Sequence, residues 1–210
     1  MNEQYIMETS EQVKQIKRSF RLYMNGVTST SMRQKGLDYK INWGVSQMDL
    51  RHMAEQYGKD KALAAALWQE NIRECKILAT LIMPAADFTA SEAMEWAATL
   101  STVEMAETAV FNLFQHMTEA EQFSLMLLAN EDKLVRICAY NLVCRLLKRN
   151  NECTPQLYAA LFKKAAIDLK SADRQLLHPL VKCLDYVSST DAEQAKEATQ
   201  LLKEAGFGAF

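Results

Sequence analysis

Proline and glycine are scarce in this chain, with three prolines and six glycines among 210 residues. Both residues are poor helix formers and common turn formers, so their scarcity favours helices and leaves few turns for a β-sheet. No stretch shows the period-two alternation of a strand more clearly than it shows helical spacing. The composition therefore predicts an all-α protein.

The sequence also lacks a pattern typical of disulfides. Its five cysteines are odd in number and widely scattered, and no C-x-x-C motif is present. This pattern predicts free thiols in a reducing cytosol rather than disulfides or a zinc site. The N-terminal segment lacks the apolar core of a secretion signal, and no apolar run is long enough to span a membrane. We therefore expect a cytoplasmic protein without membrane contact.

Signatures of cofactor chemistry are missing as well. His52, His116 and His178 lie far apart, and none belongs to a metal-ligand motif such as H-E-x-x-H. No glycine-rich phosphate loop and no G-x-S-x-G nucleophile motif is present. The sequence thus predicts neither a metal nor a cofactor.

Charge is unevenly distributed although the formal net charge is only −2. Residues 84–132 carry nine acidic residues and no Lys or Arg, whereas residues 133–182 carry ten basic residues against three acidic ones. Such asymmetry can create a local basic surface, although charge alone favours the simpler interpretation that solvated helix faces merely differ in sign. The candidates for phosphate contacts are Arg136, Arg145, Lys148, Arg149, Lys163 and Lys164.

Helical periodicity is clearest in residues 44–84, where three apolar stripes follow one another with very short joints. Three such stripes cannot bury one another and must stack on further helices, as in α-solenoids. The whole chain reads as eleven or twelve helices in one domain over residues 1–210. We predict a HEAT-like or ARM-type α-α superhelix of stacked antiparallel helix pairs, with a compact irregular bundle as the alternative.

Helix starts are predicted from side chains that can accept hydrogen bonds from the first turn. A first helix is expected over residues 3–24, and residues 28–41 should form a helical turn followed by a loop. The predicted capping residues are Ser46, Asp60, Thr89 or Ser91, Thr118 with Glu121, and Thr154 before Pro155, and a further helix is expected to begin near Thr102.

The stretch 44–84 also carries a pattern of many positions that is similar to a known family. The matching positions are Gly44-Val45, Leu50-Arg51, Ala54, Leu67-Trp68, Glu74 and Leu78-Ala79, continuing through Met94 and Trp96 to Phe111-Asn112-Leu113-Phe114. On these residues the chain resembles the DNA alkylation repair family of the AlkD type.

The resemblance implies a HEAT-like fold whose concave, basic face holds duplex DNA, and a glycosylase that releases cationic N-alkylated purines in active members. A carboxylate beside the anomeric carbon stabilises the sugar cation in such chemistry. The family's tryptophan and aspartate, four residues apart, fall here on Val103 and Glu107. Its arginine falls at or beside Arg136, and its later tryptophan has no counterpart within residues 180–186.

Three hypotheses follow. The first is a divergent AlkD-like protein that binds duplex DNA, including alkylated DNA, with glycosylase activity weakened or lost. The second is a HEAT-like scaffold that binds a protein partner and no nucleic acid. The third is an active alkylpurine DNA glycosylase in which Glu107 is the catalytic carboxylate.

Overall fold

The computed structural model describes residues 8–37, 39–150, 153–190 and 192–207. Within these residues the regular elements are twelve α-helices and three short 3-10 segments, and the β-type pairing is one isolated bridge between Ile41 and Ile72. The contacts divide the chain into two compact units, Met1–Pro84 and Ala85–Phe210. The prediction of one domain over residues 1–210 stays a prediction.

The described part of the first unit contains five α-helices. They are α1 (Thr9–Ser19), α2 (Gly26–Gln34), α3 (Gln47–Tyr57), α4 (Lys61–Trp68) and α5 (Arg73–Ile82), with a 3-10 segment at Phe20–Leu22. Helix α4 packs on both α1 and α5, and α5 also packs on α3. The predicted helix over residues 3–24 is thus α1 and its 3-10 extension, while residues 3–7 lie outside the described part of the chain.

A buried connection explains why the Gly44-Val45 motif and Glu74 occur together. Glu74 is fully buried, and its Oε1 accepts hydrogen bonds from the backbone N–H groups of Trp43 at 3.1 Å and Val45 at 3.3 Å. Gly44 has φ +71° and lies so close to α2 that a Cβ would sit 2.3 Å from the carbonyl oxygen of Asn25. These residues hold the segment before α3 against its neighbours, so their role is structural.

Among its described residues, the second unit contains seven α-helices. They are α6 (Ala90–Ala97), α7 (Val103–Asn112), α8 (Ala120–Leu128), α9 (Lys133–Asn150), α10 (Pro155–Asp168), α11 (Arg174–Thr190) and α12 (Ala195–Glu204), with 3-10 segments at Ala85–Asp87 and Phe114–His116. Within this unit α9 packs between α7 and α11, while α6, α8, α10 and α12 pack on one another in that order. The unit is therefore a stack of two helix layers, α7-α9-α11 and α6-α8-α10-α12.

Local capping chemistry positions most of these helices as the sequence predicts. Ser46, Asp60, Thr89, Thr102 and Thr154 each accept a hydrogen bond from the first turn of the helix that follows. Residues 28–41 were expected to form one helical turn followed by a loop. The structure instead has a longer helix there, α2 over Gly26–Gln34, with Asn25 as its N-cap.

The capping box predicted at Thr118 and Glu121 is wrong, although the helix Ala120–Leu128 itself is where it was expected. Glu119 occupies the N-cap position and makes no side-chain capping bond. The Glu121 carboxylate instead accepts from the backbone N–H of Thr154 at 2.9 Å and from the Thr154 hydroxyl. The Glu121 side chain therefore accepts hydrogen bonds at the start of α10, whereas the local sequence predicted a bond within its own helix.

Candidate nucleic-acid interface

Aromatic and cationic side chains alternate across the surface of the α7-α9-α11 layer. The guanidinium carbon of Arg145 on α9 lies 4.6 Å from the ring centroid of Phe111 on α7. Three residues further along α9, Nζ of Lys148 lies 5.0 Å from the ring centroid of Tyr186 on α11. We call these four residues the aromatic–basic surface; their spacing lets each cation interact favourably with a ring while its donors stay in water.

Helix geometry explains this arrangement. Residues three apart lie on the same side of an α-helix, so Arg145 and Lys148 project together from α9. Both are exposed, and Phe111 is 42% exposed despite its contact with Arg145. Arg149, the next residue, is also exposed, and its guanidinium donates to the backbone carbonyl of Gln115 at 2.8 Å. The later turns of α9 thus present three cations towards α7 and α11.

Two of these cations, Arg145 and Lys148, also lower the pKa of a neighbouring thiol. The pKa of Cys144 is lowered from 9.0 to about 6, first by a hydrogen bond from Cys183 and then by Lys148, Lys182 and Arg145. Three cations therefore act on a single position of α9, as expected where positive charge is concentrated.

Glu107, the predicted catalytic carboxylate, is exposed on α7 one turn before Phe111. Val103 lies one further turn towards the N-terminus, so the three residues share one face of α7. The carboxylate therefore borders the aromatic–basic surface. Its catalytic role stays a prediction.

Arg136 lies elsewhere, in a buried polar network between α9 and α10. Its guanidinium donates to Oδ1 of Asp168 at 2.5 Å, and the Tyr140 hydroxyl donates to Oδ2 of the same carboxylate at 2.7 Å. The side chain of Arg136 is 17% exposed and that of Asp168 only 1%. Burial and the Asp168 carboxylate raise the pKa of Tyr140, so its phenol keeps its proton and donates it.

The position of Arg136 follows from the helical repeat. Nine residues separate it from Arg145, and at 3.6 residues per turn this corresponds to about two and a half turns, or opposite sides of α9. Arg136 and Arg145 therefore lie in two separate places in the fold.

Lys163 and Lys164 lie on α10, in the other layer. Lys163 is exposed and, with Leu125 and Leu128 of α8, lines a groove between the two helices. Lys164 is largely buried and its Nζ lies 2.7 Å from a carboxylate oxygen of Glu131. That contact lowers the pKa of Glu131. The six predicted basic residues therefore separate into three on the aromatic–basic side, one in a buried network and two on α10.

Sequence reasoning did not identify Phe111 and Tyr186 as parts of a site. Phe111 had a usable signal, since it is four residues after Glu107 on the same helix. Tyr186 had none, because only the packing of α11 on α9 brings it beside Lys148.

The described residues contain no group of three or more His, Cys, Asp or Glu side chains that could hold a metal ion. In the same part of the chain, no helix is long and apolar enough to cross a membrane.

Comparison with solved structures identifies the class of the fold. A solved structure described as "A new family of proteins related to the HEAT-like repeat DNA glycosylases with affinity for branched DNA structures" superposes with a TM-score of 0.79. The match covers 91% of this chain and 82% of that chain at 13% sequence identity, so it establishes the fold. The all-α, HEAT-like prediction is confirmed, and the irregular bundle is set aside.

The sequence model of a family described as "DNA alkylation repair enzyme" matches residues 12–201, which is well over half of the chain. The chain belongs to this DNA alkylation repair family, as the motif in residues 44–84 indicated. No curated protein matches it significantly.

Proposed function

We propose that this member of the family binds DNA through the aromatic–basic surface of its α7-α9-α11 layer. The observation that supports this most directly is the alternation of Phe111, Arg145, Lys148 and Tyr186 across three neighbouring helices. Cations that follow one surface can contact successive phosphates, and half-exposed rings can stack on bases or sugars.

The solved relative is described as having affinity for branched DNA structures, and DNA of that kind is a reasonable first ligand to compare with linear duplex. Branch points contain bases with incomplete stacking, which accept an aromatic side chain at lower cost than bases inside a duplex. We therefore expect the chain to bind branched DNA more tightly than linear DNA of equal length.

Fluorescence anisotropy with labelled linear and branched DNA tests this proposal. Arg145→Gln combined with Lys148→Gln removes two positive charges from the surface, so the salt dependence of log K should weaken by about 1.8 and affinity should fall by roughly tenfold or more. The matched control combines Lys196→Gln with Lys203→Gln on α12, two exposed residues in the other layer. The control should bind as the parent does between about 50 and 200 mM salt.

Two results would count against the proposal. Absence of binding even at low salt would favour a scaffold that binds a protein partner, because phosphate contacts are strongest there. An equal loss of affinity in both double variants would show that DNA responds to net charge rather than to this surface.

A second function, alkylpurine DNA glycosylase activity, is favoured by the exposed carboxylate of Glu107 one turn from Phe111. We propose that this activity is weak or lost, because Val103 supplies no aromatic ring beside the carboxylate and a cationic nucleoside gains attraction from such a ring. A carboxylate there could still stabilise an oxocarbenium-like sugar.

Glu107→Gln separates the two roles. If Glu107 is catalytic, release of alkylated purine from duplex DNA is measurable in the parent and disappears in the variant. If it only borders the phosphate path, DNA affinity rises instead, by roughly threefold for one charge removed at about 7 Å in water. Glu95→Gln on α6, an exposed glutamate in the other layer, is the matched control and should change neither quantity.

A further inference from the structure

The turn that leads into α2 exposes several large apolar side chains next to one another. Every residue in the range 21–27 is exposed. Leu22 is 81% exposed, Val27 84%, Met24 54% and Tyr23 41%. One exposed apolar residue is common on a soluble protein, but four within six positions indicate an interaction surface. We call Leu22, Tyr23, Met24 and Val27 the apolar turn.

The backbone of this turn is fixed, although its side chains are exposed. The backbone N–H of Asn25 donates to the carbonyl oxygen of Trp43 at 2.9 Å. The side-chain oxygen of Asn25 accepts from the N–H of Thr28 at 3.0 Å, and its carbonyl oxygen accepts from the N–H of Ser29 at 2.9 Å. A surface whose backbone is already ordered loses less conformational entropy when it binds. The apolar turn is therefore presented to a partner in a fixed arrangement.

Positive charge flanks the apolar turn on both sides along the chain. Residues 12–40 contain seven basic residues and one acidic residue. Arg18 and Arg21 lie directly before the turn, and both are exposed. Arg33 and Lys35, at the end of α2, are exposed as well. The charge of this segment is therefore complementary to a polyanion.

The shape of the apolar turn favours insertion into DNA. Leu22 and Val27 are so exposed that they project from the fold, as do the apolar wedges that some proteins insert between base steps. Stacking is already interrupted at a branch point in DNA, so a side chain inserted there costs less than one inserted in a linear duplex. The phosphates beside the branch are complementary to the neighbouring cations. Protruding apolar groups and basic neighbours together favour DNA over a protein partner.

We propose that the apolar turn inserts Leu22 and Val27 at DNA branch points and thereby gives the chain a preference for branched over linear DNA. Arg18 and Arg21 contact the phosphates beside the inserted side chains. This role rests on the proposed function, because it requires that the chain bind branched DNA, and it adds the residues that recognise the branch. Phosphate contacts act on linear and branched DNA alike, whereas insertion depends on open base steps.

Leu22→Ser combined with Val27→Ser tests this role in fluorescence anisotropy with a linear duplex and a four-way junction of equal length. Both side chains lie largely in water, so we expect the variant to fold as the parent does. Its affinity for the junction should fall by roughly tenfold, to near that for linear duplex, because two apolar side chains no longer gain burial between bases. Affinity for the linear duplex and the salt dependence of log K should stay unchanged, since no charge is removed. The matched control combines Met126→Ser with Ile167→Ser, two exposed apolar residues on α8 and α10, and should bind both DNAs as the parent does.

2-Aminopurine placed at the branch point reports insertion directly, because its fluorescence increases when it loses stacking. The parent should raise this fluorescence, and the variant with Leu22→Ser and Val27→Ser should not. Unchanged junction affinity in the variant, or an equal loss on linear and branched DNA, would overturn the proposal. So would a parent dimer that becomes a monomer in the variant, measured by light scattering, because the apolar turn would then bind a second copy.

The outcomes also separate this role from the proposed function. If Arg145→Gln with Lys148→Gln weakens DNA binding as expected while the variant of the apolar turn keeps the junction preference, only insertion by the apolar turn is wrong. If the parent binds no DNA even at low salt, both proposals fail.

Discussion

The strongest single test of the packing in the second unit is Asp168→Asn. This change keeps the size of the side chain but removes the charge that Arg136 and Tyr140 both contact, at 2.5 and 2.7 Å. Removing one partner of a buried ion pair costs about 3–5 kcal/mol because the other charge remains buried. Arg136 is 17% exposed and the asparagine still accepts from Tyr140, so we expect the lower end, about 3 kcal/mol.

Thermal unfolding followed by circular dichroism measures this loss. For a chain of this size about 3 kcal/mol corresponds to a decrease of roughly 6–12 °C in Tm. Asp173→Asn is the matched control, because Asp173 pairs with Lys133 at 3.1 Å on the surface and asparagine is an equally good helix cap. Its Tm should stay close to that of the parent.

A double variant shows whether the pair itself is responsible. Arg136→Met alone should also lower Tm, since it leaves the Asp168 carboxylate buried without its cation. Combining Arg136→Met with Asp168→Asn should recover part of the loss, because no unpaired charge then remains. The reasoning fails if Asp168→Asn is as stable as Asp173→Asn, or if the two losses simply add.

Two further predictions concern other parts of the chain. Gly44→Ala should reduce the free energy of unfolding by about 2–4 kcal/mol in urea titrations, because Gly44 has a positive φ and the added Cβ would lie 2.3 Å from a carbonyl oxygen. Gly36→Ala is the control: Gly36 has φ +81° but open space around it, so this variant should lose only about 1–2 kcal/mol. Equal losses in the two variants would contradict the close contact at Gly44. The thiolate absorbance near 240 nm should rise with pH around a midpoint of about 6, because the lowered pKa of Cys144 means that its proton leaves as pH increases through that value. Cys144→Ser should remove this transition, and its persistence would assign the thiolate to another cysteine.

The helices themselves could be predicted from sequence because their signals are local. Apolar periodicity and capping residues such as Ser46, Asp60 and Thr154 depend on neighbours within one or two turns. The capping box predicted at Thr118 and Glu121 fails because Glu121 accepts a hydrogen bond from Thr154 instead, more than thirty residues away. Long-range contacts of this kind leave no mark in a local pattern.

The candidate site was less predictable for the same reason. The sequence shows which residues are basic but not which of them are exposed on the surface. In the fold, Arg136 forms an ion pair with Asp168, and Lys164 forms one with Glu131. The rings that accompany Arg145 and Lys148 come from two other helices and are brought there only by packing.

The sequence by itself thus determined the helical class, most helix starts and the family, since these depend on composition, periodicity and a motif of packing positions. Tertiary structure alone decided which charges are buried and which cations and rings meet across α7, α9 and α11. The physical reason is that local propensities act through adjacent residues, whereas a surface or an interface is made by residues from helices that are distant in sequence.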